Sequence, residues 1–246
     1  MIYELKETSK AEKLFSGFED AGITACLQKV MGKIFVTDTE NPRSAMAFIG
    51  CFAFYAGEPD RELVINKPDG YVIMVPQNDG WAAIIESSFP AGKRIRYALK
   101  RKANFNREKL SAMVKALPEG YEIRKIGADL YDVCRSDPEF EDFVSSFDSK
   151  EKFLELGRGF VVLKDGKIVS GASSYSRFRE GIDIEVGTRK EERHKGLASA
   201  VCAALILSCL DEGLTACWDA ANIMSVRLAE KLGFSFSHEY ICFGVE

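Results

Sequence analysis

A single apolar helix limits the folds that this chain can adopt. Residues 198–210 include no charged side chain and are apolar on nearly every side of a helical wheel. A helix of this kind has to be buried rather than lie on a surface. Strand-like runs at 182–188 and 215–219 flank it, so a sheet is available to cover it. The pattern predicts an α/β fold in which helices cover both faces of a mixed sheet.

Length and charge indicate two domains. The chain has 246 residues, more than the ~150 typical of one domain, and its net charge of −4 is unevenly distributed. Residues 1–118 carry 17 Lys and Arg against 14 Asp and Glu, whereas the remaining residues carry 16 against 23. A turn at Pro118–Gly120 follows a helix-prone basic stretch over 94–117. We therefore expect a smaller N-terminal α/β domain over 1–118 and a second domain over 119–246.

Local patterns predict the elements within each domain. Runs of β-branched and aromatic residues favour strands, and apolar spacing with Gly or Asn at the ends favours helices. In the first domain we expect a helix over 10–18, a second helix or long buried element over 44–54, and strands over 33–37, 63–65, 71–75 and 81–85. In the second we expect strands over 121–126, 159–163, 167–175, 182–188, 215–219, 235–237 and 240–245, two short helices within 129–147, and helices over 195–212 and 222–232.

Composition argues against several classes of function. The net charge of −4 is unlike that of a dedicated nucleic-acid binder, and the basic residues between Lys93 and Lys109 fit a solvated helix face better than a phosphate site. The 7 Cys show no CxxC spacing and the 2 His no metal-ligand spacing, so we expect no metal site. The chain start lacks the pattern of a signal peptide, and the apolar stretches are too short to cross ~30 Å of hydrocarbon. We expect a cytoplasmic protein with neither a membrane nor a nucleic-acid partner.

A basic segment that contains glycine joins the strand at 182–188 to the apolar helix. It reads Arg193, His194, Lys195, Gly196, Leu197 and Ala198. The first N–H groups of a helix have no intrahelical partner and attract anions, and Gly196 removes the Cβ that would keep an anion away. Arg193 and Lys195 add positive charge that suits a pyrophosphate. The segment predicts an anion cradle, although a plain loop in which Gly196 eases entry into the helix fits the same residues.

Two segments resemble the GNAT superfamily of acyl-CoA-dependent N-acyltransferases. Arg193, Gly196 and Ala198 match its acetyl-CoA motif Q/R-x-x-G-x-G/A, which follows the fourth core strand. Residues 222–234 are similar to the ending N-x-x-x-x-x-L-Y-x-K-x-G-F of the superfamily. The resemblance covers roughly residues 121–246 and implies a GNAT fold, with a splayed mixed sheet flanked by helices.

Further similarity narrows the resemblance to a subgroup. The similar segments are 41–45, 52–57, 169–174 and 218–222. They resemble two-part GNAT proteins with an extra N-terminal α/β domain, some of which carry zwittermicin-resistance-type names. The resemblance leaves the acceptor substrate open.

The resemblance also implies where acetyl-CoA binds as co-substrate. Its pantetheine arm is expected to hydrogen-bond to the backbone of the fourth core strand, at Val186, Gly187 and Thr188, as though adding a strand. The pyrophosphate is expected on the cradle segment, and Asn222 and Ser225 are expected to face the same arm. Asn222 equally fits an ordinary helix N-cap, and the two roles are compatible.

Acyl transfer to an amine calls for a base. A primary amine has an ordinary pKa of about 10 and has to lose a proton before it attacks a thioester. Strand periodicity puts Asp183 and Glu185 on one face, and Glu185 lies nearer the cofactor end, so Glu185 is the expected base. Asp219, on the next strand, is expected to orient the amine. The alternatives are that the strand acids are merely solvated and that Asp219 makes a structural hydrogen bond.

A departure from the family leaves the general acid open. Many GNAT enzymes carry a Tyr in the last helix that protonates the leaving thiolate, and this chain has Ala229 at that position. Tyr240 and Ser225 are the candidate replacements, and a thiolate of low pKa can leave unassisted. Cys217 would allow a covalent mechanism, but a buried structural cysteine is the favoured interpretation.

The expected activity is transfer of acetyl from acetyl-CoA to the primary amine of a small molecule by direct attack. The second domain is expected to bind the co-substrate, and the first to shape or cover the acceptor site. Two alternatives stay open: a non-catalytic sensor module that binds acyl-CoA, and an acetyltransferase that acts on lysines of proteins or peptides. A monomer and a homodimer are both compatible with each of them.

Overall fold

The computed structural model describes all 246 residues, which form two compact units. The first unit comprises Met1–Arg96 and Glu239–Glu246, and the second comprises Tyr97–His238. The boundary between the units falls after residue 96 instead of residue 118. The reason is that the helix containing Leu110 packs this residue into the core of the second unit. The assignment of separate roles to 1–118 and 119–246 stays a prediction.

The first unit contains five consecutive strands. They are β1 (Tyr3–Glu4), β2 (Lys33–Val36), β3 (Ser44–Ile49), β4 (Phe52–Gly57) and β5 (Val72–Pro76). They pair in that order, and all neighbours are antiparallel except β4 and β5, which are parallel. The helical elements are a 3-10 helix (Thr8–Phe15), α1 (Ala21–Leu27), α2 (Arg61–Ile65) and α3 (Asp79–Ser88).

Several predictions for the first unit are wrong. Residues 63–65 and 81–85 lie in α2 and α3 rather than in strands, because Asp60 and Asn78 accept hydrogen bonds from the first-turn N–H groups and start helices there. Residues 44–54 lie in the two antiparallel strands β3 and β4 instead of one element, and the helix expected over 10–18 is the 3-10 helix at 8–15. A short apolar run fits either a strand or a buried helix, so periodicity alone does not decide.

The second unit is built around another sheet of five consecutive strands. They are β7 (Tyr121–Lys125), β8 (Gly159–Lys164), β9 (Lys167–Phe178), β10 (Gly181–Thr188) and β11 (Thr215–Cys217). The order is β11-β10-β9-β8-β7, and only β10 and β11 are parallel. The helices are α4 (Arg107–Lys115), α5 (Ala128–Ser136), α6 (Lys150–Leu156), α7 (Leu197–Asp211) and α8 (Ile223–Leu232), with 3-10 helices at Glu141–Phe143 and Lys190–Glu192.

Three further strands complete the structure. They are β6 (Gly92–Leu99), β12 (Asp219–Ala220) and β13 (Phe236–Val245). The strand expected over 215–219 is therefore split into β11 and β12, and the two strands expected at the C-terminus form one. The helix-prone stretch over 94–117 begins with β6, and its helix, α4, starts only after Asn106, whose side chain accepts from Lys109 N at 2.9 Å.

The helix α7 is buried as its sequence predicts. Leu197 is 1% exposed, and Val201, Leu205 and Ile206 are fully buried in one core with Ile182. This burial fixes the N-terminal end of α7 against the sheet, and the mixed α/β class is confirmed. None of the helices in the structure has the length and apolar character needed to span a bilayer.

The two units repeat one topology. In each, four antiparallel strands are followed by a helix and by a fifth strand that is parallel to the fourth. The crossover contains α2 in the first unit and α7 in the second. The two crossovers differ greatly in length, because α2 has 5 residues and α7 has 15.

Candidate active site

The fourth strand of the second unit, β10, has one open edge. It pairs with β11 only over Gly181–Asp183, whereas it pairs with β9 along its whole length. Beyond Asp183 the strand therefore has a hydrogen-bonded neighbour on one side alone. An edge of this kind can accept an extended ligand as an added strand.

The backbone of β10 shows which residues address the open edge. Arg189 N donates to Val169 O of β9 at 2.9 Å, so the odd-numbered residues that precede Arg189 direct their backbone groups toward β9. Ile184, Val186 and Thr188 consequently direct theirs to the open side. The backbone of Val186 and Thr188 thus faces the open edge, and Ile184, which the sequence did not single out, shares this orientation. Their role in binding stays a prediction. The strand period of two, counted back from Val186, would have found Ile184.

Gly187 has a different role from that of its neighbours. Its carbonyl oxygen accepts a hydrogen bond from Ser170 Oγ at 3.0 Å, so its backbone belongs to the β9 side. A Cβ at Gly187 would lie 3.3 Å from Phe143 Cζ, and a Cβ at Gly171, the residue opposite, would lie 2.3 Å from Phe143 Cε2. The missing side chains make room for the ring of Phe143. Gly187 therefore acts through packing, not through exposed backbone groups.

The segment around Phe143 is fixed to the sheet at several points. Ser173 Oγ donates to Phe143 O at 2.7 Å. Arg189, directly after β10, forms ion pairs with Asp137 and Glu139, and its guanidinium lies 4.8 Å from the ring centre of Phe140. These contacts hold the 137–143 segment over one face of β10, next to the open edge.

The cradle segment lies between β10 and α7 and has an unusual backbone. His194 and Gly196 both adopt positive φ angles, of 63° and 81°. No atom lies within 4 Å of the place where a Cβ on Gly196 would be, so space beside the helix start is open. The first N–H groups of a helix have no intrahelical partner, and no side chain caps those of α7. The geometry fits the predicted anion cradle.

The charged side chains of the cradle are less available than the sequence suggests. Lys195 Nζ lies 2.7 Å from Glu192 Oε2, so an ion pair holds its side chain in place. Arg193 Nε donates to Thr188 O at 3.3 Å, which turns the side chain back toward β10. Leu197 is buried and Ala198 is half-buried, so their backbone N–H groups are what they can offer an anion. What this segment can offer an anion is therefore mainly backbone N–H groups.

The acids of β10 alternate with buried residues as predicted. Asp183 and Glu185 are half-buried, whereas Ile182 and Ile184 are buried on the opposite face. Burial raises the pKa of the Cys202 thiol in α7, and the charge of Glu185 raises it further. Asp183 lies where β11 still pairs with β10, and Glu185 lies where the edge is open.

The other predicted residues lie in β12 and at the start of α8. Asp219 is half-buried in β12, where it pairs with Ala98. Asn222 caps α8, since its Oδ1 accepts from Ser225 N at 3.0 Å, and Ser225 Oγ accepts from Trp218 Nε1 at 3.0 Å. Ser225 and Asn222 thus both have structural contacts, and Asn222 is exposed.

Three positions bear on the general acid, namely Ala229, Tyr240 and Ser225. The position of the family tyrosine holds Ala229, which has no proton to donate and is fully buried. Tyr240 lies on β13 in the first unit, whereas Glu185 lies in the second. Both Tyr240 and Ser225 stay predictions for this role. No group of three His, Cys, Asp or Glu side chains that could hold a metal ion is found in the structure.

In the first unit, the corresponding strand edge and helix start are both occupied by the chain's own groups. Its fourth and fifth strands pair over Phe52–Tyr55, and Gln77 N continues the ladder by donating to Tyr55 O at 3.0 Å. The Gln77 side chain then accepts from Gly57 N at 3.0 Å. The start of α2 is capped by the carboxylate of Asp60, which would repel a phosphate. The open edge and the uncapped helix start occur together in the second unit.

Comparisons with known proteins agree with this geometry. The profile of the GNAT acetyltransferase family matches residues 12–243. The chain is 25% identical over 230 residues to the uncharacterized N-acetyltransferase YdfB of Bacillus subtilis, covering 87% of this chain and 85% of that protein.

Solved structures agree as well. A GCN5-related N-acetyltransferase-like protein from Streptococcus suis superimposes with a TM-score of 0.93 at 38% identity, covering 98% of this chain and 99% of that one. A tandem GNAT protein from the clavulanic acid biosynthesis pathway shares the fold at 12% identity, with a TM-score of 0.57 over 100% of this chain and 98% of that one. The chain therefore belongs to the GNAT acetyltransferase family and is an N-acetyltransferase, an enzyme whose family takes the acyl group from acetyl-CoA.

Proposed function

We propose that the second unit binds acetyl-CoA along the open edge of β10 and transfers its acetyl group to the primary amine of a small molecule. The observation that carries this proposal is the continuity of two features along the chain. Unpaired strand backbone around Val186 leads, through a short loop, to the uncapped start of α7. Amide groups of a pantetheine arm suit the first feature, and a pyrophosphate suits the second.

The cradle is proposed to hold the pyrophosphate mainly through N–H groups. The candidates are those of Leu197, Ala198 and Ser199, which form the first turn of α7. The helix dipole adds a partial positive charge at the same place. Arg193 is exposed and can contribute its guanidinium if it leaves Thr188 O. Asn222 and Ser225 are proposed to face the pantetheine arm from the start of α8.

Glu185 is proposed to act as the base, directly or through one water. An amine nitrogen that has lost its proton to Glu185 attacks the thioester carbonyl carbon. The C–N bond forms as the C–S bond breaks, and the nitrogen releases the further proton that the amide does not keep. The thiolate leaves with the electron pair of the C–S bond and takes up a proton. Asp219 is proposed to orient the amine, and Tyr240 or Ser225 to supply the proton.

The net charge of residues 119–246 supports the acceptor class that we propose. Residues 119–246 carry 16 Lys and Arg against 23 Asp and Glu, so this part of the chain has a net negative charge. A field of this sign attracts a cationic acceptor such as an alkylamine or an amino sugar. We further propose that residues 119–246 are the catalytic part, that residues 1–118 are accessory, and that the chain is a cytoplasmic member of the two-part subgroup, as a monomer or a homodimer.

Acetyl-CoA binding at the cradle is tested with variants of two glycines that lie at opposite ends of α7. Gly196 and Gly213 both have positive φ, of 81° and 70°, and neither would bring a Cβ within 4 Å of another atom. Gly196→Glu places a carboxylate at the cradle, whereas Gly213→Glu places it about 22 Å away, at the far end of a 15-residue helix. We expect acetyl-CoA binding and acetyl-dependent thiol release to be lost in Gly196→Glu and kept in Gly213→Glu.

The acceptor is tested by measuring thiol release with a panel of small amines, amino sugars and lysine peptides. Release with small amines alone supports the proposal, and release with peptides alone replaces it with a peptide lysine acceptor. Equal acetyl-CoA affinity in wild type and Gly196→Glu would overturn the cradle.

A further inference from the structure

We infer that Glu192 is a positioning residue that holds the cradle segment in the shape that binds the pyrophosphate. This inference rests on the proposed function, because it concerns the loop that the function assigns to acetyl-CoA. Neither the sequence motif nor the chemistry of acetyl transfer requires an acid at this position. The contacts of the Glu192 side chain carry the inference.

Glu192 is a buried carboxylate that joins three parts of the second unit. It is 7% exposed although it lies in a run of charged residues. Its Oε2 accepts from Tyr121 Oη of β7 at 2.6 Å and from Lys195 Nζ at 2.7 Å. Its Oε1 accepts from Lys164 Nζ of β8 at 3.2 Å. Both oxygens are therefore engaged, and the cradle is tied to two strands of the sheet.

The electrostatics show that Glu192 is charged at neutral pH. Hydrogen bonds from Lys195 and then from Tyr121 are the main causes that lower its pKa from 4.5 to about 2. In return, Glu192 raises the pKa of both Lys164 and Lys195. Removal of the charge would leave two ammonium groups facing each other near the cradle, without the anion between them.

The ion pair between Glu192 and Lys195 spans the part of the loop that contains His194, whose backbone is strained. The pair joins positions i and i+3 and encloses Arg193 and His194. His194 has a φ of 63°, a conformation that costs a non-glycine residue roughly 1–2 kcal/mol. Such conformations persist where the surroundings over-determine them. Glu192 supplies that constraint from one side of His194 and Lys195 supplies it from the other.

The shape of this loop decides where its N–H groups point. Since Arg193 and Lys195 are already engaged, the anion has to be recognised mainly by backbone groups, and these turn with the φ angles of His194 and Gly196. Loss of Glu192 should therefore weaken acetyl-CoA binding and leave the chemistry at Glu185 unaffected. A residue with a merely structural role would lower stability without this selective effect.

The test is Glu192→Gln in the full chain, with Glu212→Gln as the matched control. Glu212 forms an ion pair with Arg158, at 2.6 Å, at the opposite end of α7. We measure the acetyl-CoA Kd by calorimetry, KM and kcat by thiol release, and Tm. We expect Glu192→Gln to raise Kd and KM for acetyl-CoA about tenfold, with kcat at saturation unchanged. Glu212→Gln should lower Tm without changing Kd.

Two further variants extend the test, and the second, Tyr121→Phe, covers the case in which Glu192→Gln folds poorly. Glycine adopts the φ of His194 without cost, so the double variant Glu192→Gln/His194→Gly should recover part of the lost affinity. Tyr121→Phe removes one donor and leaves both lysines, and it should raise Kd by a smaller factor. An unchanged Kd in both Glu192→Gln and Tyr121→Phe would overturn the inference, as would a fall in kcat with an unchanged KM.

The outcomes separate this inference from the proposed function. If Gly196→Glu abolishes binding while Glu192→Gln binds normally, the cradle stands and the role of Glu192 is refuted. If Gly196→Glu also binds normally, the proposed function fails, and the inference fails with it.

Discussion

Gly171 and Gly187 lie opposite each other on β9 and β10, and both face the ring of Phe143. Because neither glycine has a side chain, the 137–143 segment packs close to the sheet, beside the open edge of β10. Ser173 Oγ fixes the same segment through the Phe143 carbonyl. The position of this wall of the site therefore depends on two residues that have no side chains.

Gly171→Ala is expected to destabilise the protein by about 1–3 kcal/mol, because its Cβ would lie 2.3 Å from Phe143 Cε2 and the ring would have to move. Urea unfolding measures the change. Gly187→Ala is the graded control, since its Cβ would lie 3.3 Å from Phe143 Cζ and needs a smaller adjustment. The double variant Gly171→Ala/Phe143→Leu should recover part of the loss. Equal stability of Gly171→Ala and wild type would contradict the packing argument.

Glu185→Gln is expected to lower kcat between about 10²- and 10⁴-fold and to leave KM for acetyl-CoA unchanged. The amide keeps the shape of the side chain but cannot take a proton from the amine. Thiol release at saturating acetyl-CoA measures the effect.

Asp183→Asn is the matched control for the base. Asp183 faces the same side of β10, two residues earlier, where β11 still pairs with the strand. Its variant should lose less activity than Glu185→Gln. The reverse order would transfer the role of base to Asp183, and full activity in both variants would leave neither as the base.

The second unit could be predicted more closely than the first because its elements have local signals at their ends. Asn222 caps α8 and Gly233 follows it, so the bounds of that helix can be read from neighbouring residues. The Asp165-Gly166 turn between β8 and β9 has positive φ at both residues, as a tight hairpin requires.

The short helices α2 and α3 of the first unit have a cap at the start, Asp60 or Asn78, but no glycine at the end. The apolar run 81–85 is compatible with a strand, and only the cap at Asn78 and the burial of Trp81 mark it as a helix. The burial of Glu192 could not be predicted either. Its partners Tyr121 and Lys164 are 71 and 28 residues away in the chain, and nothing in the run of charged residues separates Glu192 from Glu191.

Asn222 is expected to have two separable roles, which Asn222→Ala and Asn222→Asp distinguish. The alanine variant loses the hydrogen bond to Ser225 N, so it should lose about 1 kcal/mol of stability. The aspartate variant keeps an oxygen for that bond, so its stability should match wild type. If the amide also contacts the pantetheine arm, KM for acetyl-CoA rises in both variants. A wild-type KM in Asn222→Asp would restrict Asn222 to capping.

The stability that Glu192 contributes is expected to depend on pH only in the acid range. Its pKa is about 2 in the folded chain and ordinarily 4.5, so the folded state prefers the ionised form. The contribution is therefore complete above pH 4.5 and is lost as the pH falls toward 2. Other acids with lowered pKa values, such as Glu4 and Glu212, titrate in the same range, so the informative quantity is the difference between wild type and Glu192→Gln. Urea unfolding between pH 2 and 7 should show this difference to be constant from neutral pH down to about 4.5 and to shrink below it. A difference that instead grows with acid would mean that Glu192 is protonated in the folded protein and that the two lysines do not hold its charge.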